Sequence, residues 1–181
     1  VDTEETDPNF NQTVLLLHGD GTNGGQNNTF IDSSPTGRTL TRNGNLTQGT
    51  FSPFSLEDGY WSNLFDTSGD FLTIPASSDF SFGTGAFTIE CFVYYTSQTL
   101  GSNNAIIGQS GFGSVLQLNS AGYIQYYDVN TGTYLVTGNV AAPLNEWIHV
   151  VVQRDASNNV DLFVNGTNQD TTTSTETLGF S

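Results

Sequence analysis

Glu146-Trp147-Ile148-His149-Val150-Val151-Val152-Gln153-Arg154, then Asp155-Ala156-Ser157-Asn158-Asn159, then Val160-Asp161-Leu162-Phe163-Val164-Asn165-Gly166: this stretch decides the fold. In an extended chain, successive side chains point to opposite faces. Ile148, Val150, Val152 and Arg154 therefore share one face, and Trp147, His149, Val151 and Gln153 share the other. The residues between the two runs are turn formers, so the second strand returns antiparallel. Asn165-Gly166 suits a type I′ turn, whose two central residues need positive φ, and leads into Thr167-Asn168-Gln169. Strand, turn, strand, turn on a period of two predicts an antiparallel β-sandwich.

The same pattern recurs towards the N-terminus. Residues 86–96 read as the longest strand, with Phe87, Ile89, Cys91, Val93 and Tyr95 on one face and Thr88, Glu90, Phe92 and Tyr94 on the other. Strands are predicted over 105–109, 114–119, 123–128 and 133–137, divided by turns rich in Gly or Asn. Residues 13–18 form a continuous apolar run, expected to be buried on both faces. Residues 38–42 and 46–51 read as a hairpin around Asn43-Gly44. Strands over 60–65 and 70–74 flank the turn Asp66-Thr67-Ser68-Gly69, and Pro75 ends the second. Phe80 and Phe82 are expected to plug the sandwich from a loop. No stretch keeps a 3.6-residue apolar period, so the prediction is all-β: an antiparallel two-sheet jelly-roll β-sandwich. The expected organisation is an arm or linker over 1–12, one jelly-roll domain over 13–170, and a polar tail or incomplete final segment over 171–181.

Charge narrows the function. Eighteen acidic residues face only Arg38, Arg42 and Arg154, with no lysine, for a net charge of −15. That field repels phosphate backbones, so no nucleic-acid partner is expected. No apolar run of 18 residues exists, so no helical membrane insertion is expected. Charged residues make up 12% of the chain, about half the usual ~25%, so the surface is built from Thr, Ser, Asn, Gln and Gly. Cys91 is the one cysteine, which rules out an internal disulfide and suits a small buried hydrophobe in a strand. Methionine is absent, including at position 1, which reads as a processed chain or a fragment.

The order of the motifs resembles a known family. Leu15-Leu16-Leu17-His18-Gly19-Asp20-Gly21 precedes Phe30-Ile31-Asp32-Ser33-Ser34. Then come Asp70-Phe71-Leu72-Thr73-Ile74-Pro75, Phe80-Ser81-Phe82-Gly83-Thr84-Gly85-Ala86-Phe87-Thr88-Ile89-Glu90, Glu146-Trp147-Ile148-His149-Val150 and Leu162-Phe163-Val164-Asn165-Gly166. Over about residues 13–170 this set resembles the concanavalin A-like lectin/glucanase superfamily, in its laminin G-like branch. The wording from Leu15 to Phe54 resembles modules of marine tailed-phage virion proteins. The resemblance implies a concanavalin A-like jelly roll. It also implies a closing strand that carries an aspartate and an arginine beside the N-terminal strand. The sequence reaches Ser181 without one, so the fold is expected to lack its usual C-terminal closing strand. The open edge would be completed by further residues or by a strand donated from a neighbouring subunit.

Candidate sites follow from residue chemistry. Glucan-cleaving members of the superfamily pair acids along one strand, whereas residues 86–96 carry only Glu90, so no enzyme is expected and no catalytic residue is assigned. Tyr123, Tyr126, Tyr127, Asp128, Asn130 and Tyr134 gather around one turn and offer aromatic faces for sugar C–H surfaces and polar groups for hydroxyls. Tyr60 and Trp61 are a second such group. The same tyrosines also fit a division between core and surface. Asp20, Asn23 and Asp32 offer hard oxygen donors for a structural calcium, the one cofactor considered, although such residues also form turns without an ion. His149 reads as a structural strand residue. The reading that results is a virion-surface, lectin-like domain for host-surface glycan adhesion in a tail fibre or appendage. The alternatives are a structural capsid or tail decoration protein and a carbohydrate-binding module of a larger secreted or cell-surface bacterial protein. Expected partners are other virion proteins or its own copies in a homo-oligomer, and a host glycan, since a weak sugar site gains from repetition.

Overall fold

The structure is a computed structural model and describes residues 7–19, 30–54, 61–67, 69–97, 104–109 and 112–180. It is all-β. Helix among the described residues is confined to two short 3-10 turns, Phe10–Gln12 and Ser78–Phe80. Contacts group the chain into two compact units, Val1–Ala76 and Ser77–Ser181, where the sequence led to one domain over 13–170.

The first unit holds β1 (Thr41–Asn43), β2 (Thr47–Gly49), β3 (Ser62–Leu64) and β4 (Phe71–Thr73). Asn43-Gly44 does turn, with Gly44 at φ 77°, but it does not join a hairpin. β1 pairs antiparallel with β4, and β2 with β3. The cause is Asp70. Its Oδ1 accepts the Asn45 N–H at 2.7 Å, and its Oδ2 accepts the Asp66 and Thr67 N–H groups, each at 3.1 Å. One carboxylate thus ties two turns together and sends the strands on either side of each turn to different partners. Phe30, Leu40 and Leu46 form this unit's core, with Leu72 and Ile74 packed against it. The apolar run 13–18 differs from expectation. It makes an isolated bridge, Leu17 to Asp32, rather than a ladder, and Leu17 is 37% exposed. The Asp32 carboxylate accepts the Leu16 N–H at 3.0 Å, so a side chain takes the place of a partner strand.

The second unit begins with β5 (Ser81–Gly83) and β6 (Phe87–Tyr94). β7 (Asn104–Gln109), β8 (Phe112–Leu118), β9 (Ile124–Asp128) and β10 (Thr133–Thr137) follow. β11 (Trp147–Arg154), β12 (Asn159–Val164), β13 (Thr167–Thr173) and β14 (Leu178–Gly179) complete it. Two four-stranded antiparallel sheets form, in the orders β10-β9-β8-β7 and β13-β12-β11-β6, beside a two-stranded pair of β14 and β5. The faces follow the predicted alternation. Ile148, Val150, Val152, Val160 and Leu162 are all fully buried, and burying each stabilises the fold by about 1.5–3 kcal/mol. Asn165 and Gly166 take φ 49° and 73°, as a type I′ turn requires. Phe87 meets Tyr126 across the sandwich with ring centroids 5.9 Å apart. Phe82 stacks on Phe87 at 4.6 Å and meets Phe180 edge-on at 5.6 Å, which makes it the expected plug.

Residues 171–180, read from the sequence as part of a polar tail or incomplete final segment, pack onto the second unit's strands. Thr171–Thr173 end β13, an edge strand along β12. Leu178 and Phe180 are then 2% and 8% exposed, and the Phe180 N–H donates to Phe80 O at 2.7 Å. Two buried apolar side chains in a mostly polar stretch are enough to bring it back onto the sheet.

Candidate functional site

The β7–β10 sheet presents one face to the core and one away from it. On β9, Ile124, Tyr126 and Asp128 share the core side, so by alternation Gln125 and Tyr127 point the other way, Gln125 with only 3% of its surface exposed. Strand pairing sets outward residues in two rows. Val115, Tyr127 and Tyr134 lie opposite one another, and so do Gln117, Gln125 and Thr137. Tyr127 and Tyr134 pack with centroids 4.7 Å apart at 38°, and Tyr134 is 59% exposed. Next to them is an open cleft of about 340 Å³ lined by Asn119, Ser120, Ala121, Gln125, Tyr134 and Thr137.

The cleft's polar groups are held in place. Asn119 begins the turn between β8 and β9. Its Oδ1 accepts the Ala121 and Tyr123 N–H groups, each at 3.0 Å. Its Nδ2 donates to Gln125 Oε1 at 3.0 Å, so the Gln125 oxygen is an acceptor and its NH2 is left to donate elsewhere. At the far side the Thr137 N–H donates to Asp170 Oδ2 at 2.8 Å. The result is a fixed amide pair and hydroxyls beside an exposed aromatic face, a combination that can hydrogen-bond a polyhydroxylated ligand while packing against its C–H surface.

Of the tyrosine group predicted from sequence, Tyr127 and Tyr134 share this outer face. Tyr123 sits half-buried just before β9, its backbone bonded in both directions to Asn119. Tyr126 does not belong to the site. It is fully buried, and burial pushes its phenol up to about 12. Adjacent strand residues face opposite ways, so Tyr126 and Tyr127 cannot both meet one ligand. Asp128 is 1% exposed and serves its own turn, accepting from Asn130 N at 3.0 Å and from Thr131 Oγ1 at 2.7 Å. Asn130 Oδ1 accepts the Gly113 N–H at 3.2 Å and pins that turn to β8. The sequence reading missed Asn119, Ser120, Gln125 and Thr137. The signal available was period-two parity from Ile124, an apolar residue that marks its own side of β9 as inward.

Of the calcium candidates, only Asp32 falls among the described residues. Asp20 and Asn23 lie outside them, as does Tyr60 of the second aromatic group. Asp32 is described, with its carboxylate surrounded by donors. Oδ1 accepts from Leu16 N and Ser34 N, and Oδ2 accepts from Ser34 Oγ and Arg38 N. Arg38 Nη1 is 3.8 Å from Oδ2 and also donates to Val14 O. Burial alone would raise the Asp32 pKa, but the hydrogen bonds from Arg38, Leu16 and Ser34 outweigh it and lower it. No group of three His, Cys, Asp or Glu side chains placed to hold a metal occurs among the described residues. Trp61 is half-buried, with its backbone N–H donating to His18 O at 3.1 Å.

On the other sheet, Glu90 projects from β6 with its side chain 65% exposed, 3.5 Å from His149 Nε2. His149 stacks on Phe92 at 4.6 Å. Burial, reinforced by the charge of Glu90, pushes the Cys91 thiol up to about 12, the behaviour of a packing residue rather than a nucleophile.

Two antiparallel sheets facing across an aliphatic and aromatic core, with a polar cleft beside exposed tyrosines on an outer face, define a lectin-like β-sandwich. The family model Laminin_G_3, of the concanavalin A-like lectin/glucanases superfamily, matches residues 65–181, and the chain belongs to that superfamily. A search of curated proteins found no match. Among solved structures, the chain is similar to the binding domain of Paraclostridial Mosquitocidal Protein 1, at 15% identity and TM-score 0.66 over 92% of this chain and 41% of that one. It is similar to the botulinum neurotoxin serotype D ligand binding domain in complex with N-acetylneuraminic acid, at 14% and 0.68 over 94% and 42%. It is also similar to a botulinum neurotoxin type C structure, at 15% and 0.61 over 96% and 42%, whose cell entry depends on two ganglioside molecules. At these identities the likeness is one of fold. The chain spans about two fifths of the length of each of these structures.

Proposed function

We propose that this is a non-enzymatic glycan-binding domain whose sugar site is the cleft on the outer face of the β7–β10 sheet. The observation that carries the reading is the exposed Tyr134 ring beside the fixed Asn119–Gln125 amide pair, with the hydroxyl residues Ser120 and Thr137 completing the lining. The fold agrees with it, since the chain's superfamily is named for lectins and two of its structural neighbours are described with sialic acid or gangliosides. The non-enzymatic part rests on β6, where Phe92 and Tyr94 occupy the positions two and four residues beyond Glu90 and no second acid follows. The setting we propose is adhesion from a virion surface, which rests on the sequence resemblance alone.

Glycan-array binding tests the reading, comparing the wild-type chain with Tyr134→Ala. Stacking roughly 50 Å² of ring face against a sugar, at ~25 cal/mol per Å², is worth about 1.3 kcal/mol. Tyr134→Ala should therefore weaken any bound glycan by about tenfold. Binding that survives Tyr134→Ala unchanged would move the site elsewhere. A silent array combined with tight binding to purified virion shells would favour a decoration role instead.

A further inference from the structure

No cation of the unit that holds the cleft lines it. Lysine is absent, so arginine and histidine supply every basic side chain. No residue lining the cleft is basic: the lining is two amides, two hydroxyl residues, an alanine and a tyrosine. In the unit Ser77–Ser181 the only basic residues are Arg154 and His149. Arg154 is 1% exposed and spends its guanidinium on three backbone carbonyls inside the sandwich. His149 lies on the other sheet, stacked on Phe92 and facing Glu90. The charge that does approach the cleft is negative, since Asp170 accepts the N–H of the lining residue Thr137. The whole chain adds a field of −15.

From this inventory we infer that the cleft selects neutral glycans and rejects anionic ones, whether the anion is a sialate, a uronate or a sulfate. The inference rests on the carbohydrate reading above and deepens it. A carboxylate or sulfate seated here would give up water without gaining a cationic or charge-assisted partner. It would also sit near Asp170. A like charge about 4 Å away in water weakens binding by about fivefold, and loss of hydration adds to that.

The experiment pairs ligands that differ only by an anion. Lactose-terminated oligosaccharides are compared with their sialylated forms, and laminarin and galactomannan with alginate and heparan sulfate, at 20 and 200 mM salt. Tyr134→Ala runs in parallel to confirm that the cleft is the site read. The expected result is retention of neutral members and severalfold weaker binding of their anionic partners, with the gap narrowing at high salt. Binding of anionic members as tight as, or tighter than, their neutral partners, and lost in Tyr134→Ala, would overturn the inference while leaving the glycan site standing. No retention of any glycan would overturn the carbohydrate reading itself, and the inference with it.

Discussion

Replacing Arg154 with methionine tests how the C-terminal residues are held to the sandwich. The guanidinium donates from Nε to Gly85 O at 2.8 Å, from Nη1 to Glu176 O at 2.8 Å and from Nη2 to Gly83 O at 2.6 Å. It also lies 5.4 Å from the centroid of the Phe87 ring. All three acceptors are backbone carbonyls, one at the end of β5, one in the β5–β6 connection and one in the segment leading to β14. A hydrogen bond to a charged group contributes about 1.5–3 kcal/mol, so the three together contribute ~4.5–9 kcal/mol before costs. Taking the guanidinium out of water costs several kcal/mol in return, and the same burial holds its pKa below the ordinary arginine value. Gly85 and Glu176 are exposed, so water can reach part of what the side chain leaves behind. The net loss expected for Arg154→Met is about 3 kcal/mol.

Two companion variants sharpen the test. Arg154→Lys keeps the charge but not the planar fork, so it should lose about 2 kcal/mol. Glu176→Ala should cost no more than about 0.5 kcal/mol, because the acceptor there is backbone. Urea unfolding followed by tryptophan fluorescence gives the energies. Hydrogen exchange of the Phe180 amide, bonded to Phe80 O, reports the C-terminal segment directly. Arg154→Met within ~1 kcal/mol of wild type, with Phe180 protection intact, would refute the assignment of this arginine as the staple.

Asp32→Ala should cost about 3 kcal/mol in urea unfolding, because it strands the donors of Leu16, Ser34 and Arg38 at a side chain that is fully buried. Its folded pKa lies below the ordinary 3.8, so the stability it gives is present above that value and lost as pH falls through the folded pKa. An acid titration of stability should accordingly be flatter in Asp32→Asn than in wild type. Gly44→Ala should lose about 2 kcal/mol by the same assay, since φ is 77° and a Cβ would stand 2.6 Å from Gly69 O. Cys91, with its thiol pushed up to about 12, should resist iodoacetamide at pH 8 in the folded protein and react once unfolded. Labelling of the native chain at the unfolded rate would contradict the burial.

The hairpin from Trp147 to Gly166 was legible because every cue for it is local. Both strands alternate, turn residues separate them, and Asn165-Gly166 specifies the next reversal. The register observed, Val152 opposite Leu162 and Arg154 opposite Val160, follows from those cues. Asn43-Gly44 shows the limit. The turn was read correctly and the pairing was not, because the partners of β1 and β2 depend on Asp70, some 25 residues away in the chain. Turn chemistry is written in adjacent residues, whereas strand pairing is settled by whichever distant group satisfies the backbone.

The candidate site was half legible for a related reason. Strict alternation across 133–137 would put Tyr134 and Val136 on one face, and Leu135 with Thr137 on the other. The structure separates Tyr134, 59% exposed, from Val136, 1% exposed. A bulge between them is responsible. Tyr134 pairs with Tyr127, and the next paired residue is Val136, opposite Tyr126, which moves Thr137 opposite Gln125. Without that one extra residue, Thr137 would face Ile124 on the core side and Val136 would line the cleft. The bulge therefore exchanges a buried hydroxyl and an exposed valine for a filled core and a polar cleft wall. Nothing in Thr133-Tyr134-Leu135-Val136-Thr137 announces it. Its result is that the consecutive residues Leu135 and Val136 are both buried. The cleft thus owes its composition to a packing demand from the core beneath it, the level at which a one-strand reading of the sequence stops.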